Sequence, residues 1–592
     1  MGRQRVSAQC LAPREFRPLV ACPPLRIFSY ILREVVQGAG DPANPTLYRL
    51  DGVILVGELS LWVALLLVAW AATVSFAGGH LRRADLIESG ERAILATLAM
   101  VVLASLGLWT ALLTRDFSIK YVASYTSANL PKVYTIAAFW AGQPGSLLFW
   151  ALILAGYSAV VLRTNRTRNC ELMPYVSGTL ALVLVVFLAA ICLGANPFER
   201  LDWIPPDGRG LNPQLQNPGM AIQPPSLYLG YVGTTIPFAF AIAALLKRRR
   251  DAEWLAAVRR WALLAWLFNT VGIVLGMWWA YVEVGWGGHW AWDPVETASL
   301  LPWLVNTALL HSIIVEEKRG TFRKLNVALV VSAFVLSIVG TLITRSDVIS
   351  AAHSFAPSPV GQWLAAVLSY SFGALALAAI VKEFYNGVSA RHRTYGESRL
   401  VALPRLLALP RLIAQNRRRY GGNLVHLGVV VIFAGFAGLS FKREFDLTLN
   451  AGDMKTVTDA WGHKWTFLNQ GISRYNVLNR EVTAVALDVA RDGKPQGVIT
   501  SEKRQYIDSR GAPTFEPSTE AGIKGSFMQD VYVVLAGVRG ADSAEIHIAF
   551  NPLVRWVWLG GALMALGGLV VMWPATDKQN EQSGNAAVKR AA

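Results

Sequence analysis

The stretch VEVGWGGHWAWDPVETASLLPWLVNTALLHS, residues 282–312, places Trp286, His289, Trp290, Trp292, Asp293 and Glu296 close together and ends beside a second histidine, His311. Three indoles with Gly287 and Gly288 between them offer flat apolar faces, and the glycines leave room for a planar ligand to approach. Tryptophans also collect at membrane surfaces with no ligand involved. A W-x3-W-x-W spacing with Gly-Gly inside is denser than such a belt requires. Asp293, followed by Pro294 and then Glu296, suits the N-cap of a helix with proline at its first position.

The elements that carry these residues are membrane helices. The 592-residue chain is 53% hydrophobic and 16% charged, where a soluble protein of this size carries about a quarter charged. Eleven apolar runs are long enough to span, near 53–76, 92–114, 145–162, 174–194, 226–246, 260–281, 297–315, 325–344, 362–383, 424–440 and 552–573. The first is expected to remain as a helix rather than to be a cleaved leader. Alternate loops are basic, such as RTNRTR, KRRRDAEWLAAVRR and EEKRGTFRK, while the others are poor in Lys and Arg. Basic loops mark the cytoplasmic side, which puts the tryptophan segment on the outer side. The same scheme sends the basic residues 1–50 outward, against the charge rule. Residues 400–413, an apolar stretch broken by two prolines, read as lying along the inner surface.

The expected layout is therefore an α-helical polytopic membrane protein of about eleven transmembrane helices with a small β-rich outer-face domain. Residues 1–50 form an N-terminal tail. A helical bundle over 51–440 carries the tryptophan segment 282–303. Residues 441–551 form the β-rich domain, 552–573 the last span and 574–592 a cytoplasmic tail. Alternation in VTAVALDV (482–489), DVYVVLAG (530–537) and AEIHIAF (544–550), with Gly and Asp between, predicts antiparallel strands.

Depth then sorts the eight histidines. His311 lies fourteen residues into the seventh run, roughly 21 Å from its outer end at about 1.5 Å per residue. His426 lies a few residues into the tenth run, which enters from the cytoplasmic side, so both reach the inner leaflet. A histidine inside a span is costly and is usually paired or functional, the bland reading being an imidazole bonded to a backbone carbonyl. Two neutral imidazoles from separate helices at one depth suit the axial positions of a haem iron. Zinc fits less well, since no cysteine or carboxylate nearby completes four ligands. His353, after the eighth run, and His289 form a second set on the outer side.

Other classes find little support. Cys10, Cys22, Cys170 and Cys192 form no CxxC or CxxCH, which argues against a dithiol oxidoreductase or a c-type cytochrome. Gly493-Lys494 runs into Pro495, so it is no Walker A loop. Most of the net charge of +16 sits in short loops, where topology explains it better than nucleic-acid binding.

With these residues in hand, the chain resembles the CcmF-type haem lyases of cytochrome c maturation. WGGHWAWDPVETASLLPW is similar to the "WWD" segment shared by haem-handling proteins of that superfamily. LLHS (309–312) and NLVHLG (423–428) match where the family places the two membrane histidines of a b-type haem, and ISAAHSF (349–355) matches one of its two outer-face histidines. NPFER, GLNPQLQNPGMAIQPPSLYLGYVG, SEKRQY and NPLVRWVWLGG extend the match from the first run to the last.

The resemblance implies that haem from the chaperone CcmE is received at the outer face, with Trp286, Trp290, Trp292 and Asp293 around its plane and His353 on its iron. It implies attachment of that haem to CxxCH thiols of apocytochrome c, brought by a CcmH-type presenting subunit. It also implies a haem b on His311 and His426 that passes electrons outward, in a bacterial inner membrane. Arg345, at the outer end of the eighth run, is a candidate partner for a haem propionate or a plain helix-end anchor. Two positions depart from the family. Gln223 stands where a histidine is usual, and its amide is a poor iron ligand. Position 289, more often aromatic, is histidine here, which makes His289 a candidate replacement ligand opposite His353. Loading haem onto the chaperone, a one-piece synthase, and a proton- or solute-coupled transporter remain as alternatives.

Overall fold

The computed structural model describes residues 45–165, 169–249, 253–320, 322–345, 417–438, 441–508, 510–540 and 542–573. Among them, ten helical segments are long and apolar enough to cross a membrane. The predicted ninth run, 362–383, lies outside the described residues, as do His353, the stretch 400–413, residues 1–44 and residues 574–592.

In chain order the helices are α1 (Pro45–Leu81), α2 (Ala84–Thr114), the short α3 (Lys120–Tyr125) and α4 (Lys132–Ala137), α5 (Gln143–Asn165), α6 (Met173–Gly194), α7 (Pro218–Gly233) and α8 (Thr235–Leu246). After these come α9 (Glu253–Glu283), α10 (Pro294–Arg319), α11 (Arg323–Arg345), α12 (Arg417–Gly438) and, beyond the β-domain, α13 (Val554–Met572). Most run past the apolar stretches that predicted them, because a helix needs no apolar side chains where it leaves the hydrocarbon. The fifth run differs most. Its helix begins at Pro218, because the Asn217 side chain accepts the Gly219 N–H at 2.7 Å and Pro218 fills the first turn. Pro224 and Pro225 lie inside it, a disruption that membrane helices tolerate when neighbours cover the freed carbonyls.

Van der Waals packing, rather than water exclusion, joins helices within a membrane, so small residues mark the tightest contacts. The α12–α13 pair shows this. A Cβ built on Gly428 would lie 2.6 Å from the Gly560 carbonyl oxygen, and one on Gly560 would lie 2.5 Å from the Gly428 oxygen. Gly421 and Gly567 repeat the reciprocal approach at 2.7 Å. The glycines recur every seven residues on both helices, so one seam runs along the pair.

The β-domain is a two-layer antiparallel sandwich. One sheet orders its strands β1 (Arg443–Asn450), β9 (Ser543–Pro552), β8 (Gln529–Arg539), β7 (Gly522–Gly525). The other orders β2 (Met454–Thr458), β3 (Lys464–Val477), β4 (Arg480–Arg491), β5 (Lys494–Tyr506), β6 (Ser518–Glu520). Three of these strands, β4, β8 and β9, contain the three predicted segments. Inward residues alternate along them, and Phe467, Val485, Leu487, Val533, Leu535, Ile546, Ile548 and Phe550 fill the space between the sheets. At the β4–β5 turn, Asp492 and Gly493 both take positive φ (48° and 75°), as a two-residue hairpin of the primed kind needs.

The sandwich rests on the end of the bundle where α9 finishes and α10 begins. Asn479 donates to the Gln216 side-chain oxygen at 3.3 Å, and Tyr281 packs against Tyr532 and Trp558.

Candidate functional site

His311 and His426 meet. Their ring centroids are 6.0 Å apart and their planes cross at 86°. Each imidazole is oriented by its own helix: His311 Nδ1 pairs with the Thr307 carbonyl at 2.8 Å, and His426 Nδ1 with the Gly422 carbonyl at 2.7 Å. A carbonyl only accepts, so Nδ1 carries a proton in both rings, and Nε2 is the nitrogen each ring has left to offer a metal. Both side chains are exposed rather than packed into the bundle. A metal–imidazole bond of about 2 Å, with about 1 Å more to each ring centre, spans about 6 Å between centroids across one metal ion. Two rings sharing that axis can cross at any angle, 86° included. Among the described residues, no group of three or more His, Cys, Asp or Glu could hold a metal ion. The donor set is therefore two imidazoles, which fits an iron whose other four positions come with a porphyrin.

The tryptophan segment lies at the opposite end of α10. Asp293 caps that helix: its carboxylate accepts the Val295 N–H at 2.7 Å, while Glu296 accepts the N–H groups of Ala291 at 2.8 Å and Asp293 at 3.3 Å. This is a capping box, so the Asp293 carboxylate orients the start of α10. Trp292 is 70% exposed and holds a left-handed φ of 57°. That turn sets its ring perpendicular to Trp290, at 88° with centroids 5.8 Å apart. One plane cannot lie flat on both, so a planar ligand would stack on one ring and meet the edge of the other. Trp286, 40% exposed, folds its ring over Gly288, where any Cβ would collide with it.

His289 points away from this surface. It is 2% exposed, its ring stacks on Phe436 of α12 at 5.3 Å and 15°, and Trp558 of α13 meets it edge-on at 6.1 Å. Burial, with a contribution from Lys442, lowers its pKa to about 4, so it is neutral at ordinary pH. This packing pins the segment to α12 and α13 and leaves the buried Nδ1 without a hydrogen-bond partner among the described residues. Gln223, partly buried in α7, lies against α9, where its Nε2 would be 3.2 Å from a Cβ on Gly276. Arg345 ends α11.

A second set of polar groups, not apparent from the sequence, ties the start of the segment to the loop before α7 and to the sandwich. Glu283, 5% exposed at the end of α9, accepts from the Asn217 side chain at 2.8 Å. Asn551 donates to the Gly287 carbonyl at 3.2 Å and to the Tyr281 hydroxyl at 3.3 Å. Asp530, buried and held above the usual carboxylate range by that burial, accepts from Arg555 at 2.8 Å. The only local signal for this joint was Glu283 at the end of an apolar run. Its partner Asn217, and the sandwich residue Asn551 that holds Tyr281 and Gly287, lie too far along the chain for any pattern to connect.

Comparison with known proteins places these features in context. Residues 140–349 match the family model described as Cytochrome C assembly protein, and residues 440–552 match the CcmF C-terminal beta-sandwich. The chain is 32% identical to the cytochrome c-type biogenesis protein CcmF of Pseudomonas aeruginosa, over 87% of this chain and 95% of that one. It is 33% identical to the probable cytochrome c-type biogenesis protein NrfE of Escherichia coli, over 84% and 98%. A solved structure titled Cytochrome c Heme Lyase CcmF superposes with a TM-score of 0.69 at 25% identity, covering 88% of this chain and 98% of that one.

Proposed function

The chain belongs to the CcmF family of multi-pass cytochrome c biogenesis haem lyases, and from that premise we propose that it joins haem to the CxxCH thiols of apocytochrome c at the outer face of a bacterial inner membrane. The observation that carries this reading is the pair of imidazoles on α10 and α12, 6.0 Å apart with both Nδ1 atoms tied to carbonyls. His311 and His426 would hold a haem b, which supplies one-electron chemistry when bound. The same α10 carries the tryptophan segment at its other end, so one helix links the two sites.

At the outer site, haem is the substrate. It would be delivered by the chaperone CcmE, with His353 on its iron and Arg345 near a propionate. Trp292 or Trp290 would take its plane, and Asp293 and Glu296 would fix the turn that presents them. Each thiol adds sulfur to one vinyl carbon and its hydrogen to the other, so the addition consumes no electrons. The protein's part is to hold vinyl and thiol in register, which is where a large share of the rate gain arises. A CcmH-type subunit would present the apocytochrome, and the sandwich beside the platform is the surface available to guide it.

The test is complementation. In a bacterium lacking its own haem lyase, the chain with its partner proteins is expected to yield a CxxCH reporter whose haem resists acid-acetone extraction. It should yield none when the reporter cysteines are serines. A reporter that stays haem-free, while the chain accumulates normally, would contradict the assignment.

A further inference from the structure

Toward the outer side of His311, α9 and α10 share a reciprocal pair of indole–hydroxyl bonds. Trp266 Nε1 of α9 donates to Thr307 Oγ1 of α10, and Trp303 Nε1 of α10 donates to Thr270 Oγ1 of α9, each at 2.8 Å. Both threonines return their own hydroxyl hydrogen to the tryptophan carbonyl four residues earlier, again at 2.8 Å. The two indoles stack at 6.1 Å and 25°. The same Trp-x3-Thr pattern, read in opposite directions on two antiparallel helices, makes a clasp with two equivalent halves.

The halves differ one helical turn further along each chain. On α10 the four-residue ladder continues from Trp303 through Thr307 to His311, whose Nδ1 bonds the Thr307 carbonyl. On α9 the corresponding next position is Val274, an apolar side chain with nothing to orient. His426 takes its bond from Gly422, which has no side chain to anchor. We propose that the Trp266–Thr307 half of the clasp is a positioning device for His311, fixing the carbonyl that sets its imidazole's orientation and donor strength. This rests on the reading of His311 as a haem ligand. A carbonyl held on Nδ1–H makes Nε2 a stronger donor, and a stronger axial donor favours ferric iron. Loosening the carbonyl should raise the potential of the iron.

The test uses the purified full-length protein and reads haem content, the midpoint potential of the inner haem and the electron paramagnetic resonance of its ferric form. Thr307→Val and Trp266→Phe are expected to retain haem, shift the midpoint potential upward and alter the ferric signal, with Thr307→Ser restoring both. Thr270→Val removes an equivalent bond from the same helix pair, and should leave potential and signal as in the wild type. An unchanged potential in both Thr307→Val and Trp266→Phe, or an equal shift in Thr270→Val, would overturn the proposal and leave the haem assignment standing. Absence of haem from the wild-type protein would instead remove the assignment, and the proposal with it.

Discussion

At the scale of single residues, His289 shows how environment decides a histidine's role. Packed between Phe436 and Trp558, it keeps its neutral form down to about pH 4. The unfolded chain takes up a proton near 6.5, so between about 6.5 and 4 the unfolded state binds more protons and stability falls as pH falls. The slope contributed by this one group is at most about 1.4 kcal/mol per pH unit. His289→Phe should flatten that dependence in thermal unfolding of the detergent-solubilised protein, while His289→Ala should cost about 3 kcal/mol through the cavity it leaves. An unchanged acid slope in the phenylalanine variant would show that His289 is not held neutral. The sequence made the membrane histidines legible because histidine is rare in apolar runs. The inward turn of His289 was not legible, since Phe436 and Trp558 lie far along the chain. Nor was the perpendicular setting of Trp290 and Trp292, which depends on a left-handed backbone at Trp292.

At the scale of elements, helix existence followed from apolar length, and the cap on α10 from Asp-Pro-x-Glu. The α12–α13 seam did not, although its glycines stand at a seven-residue spacing in both segments. A glycine within an apolar run signals a close approach only once its partner helix is known, and that partner begins more than a hundred residues later. His426 lies on α12 between two of the seam glycines, Gly421 and Gly428. Gly428→Leu should force α12 from α13 and lower the haem-to-protein ratio severalfold without altering either imidazole, measured by absorbance on purified protein. Full haem occupancy in that variant would mean the seam does not position the histidine. Asp293→Ala should cost about 1 kcal/mol from the lost cap, seen as a lower apparent melting temperature.

At the scale of the whole molecule, composition revealed a membrane bundle and alternation revealed a β-domain. The strand order was not readable, because β1 pairs with β9 across about a hundred residues. The joint between sandwich and bundle was equally hidden. Asn217→Ala would leave the buried Glu283 carboxyl without its donor and should cost about 1–3 kcal/mol, while Asn217→Asp, which adds a like charge, should cost more. Melting curves that match the wild type in both variants would show that the Asn217–Glu283 bond, at the bundle end on which the sandwich rests, contributes nothing to stability.

The proposed inner haem depends on α10 and α12 clamping one iron between the imidazoles of His311 and His426. Electron paramagnetic resonance of the purified ferric protein, alongside pyridine haemochrome quantification, puts that clamp to the test. A low-spin, bis-imidazole b-haem signal is expected, lost in His311→Ala and in His426→Ala but kept in His289→Ala. Undiminished haem with the same signal in both membrane-histidine variants would contradict the clamp.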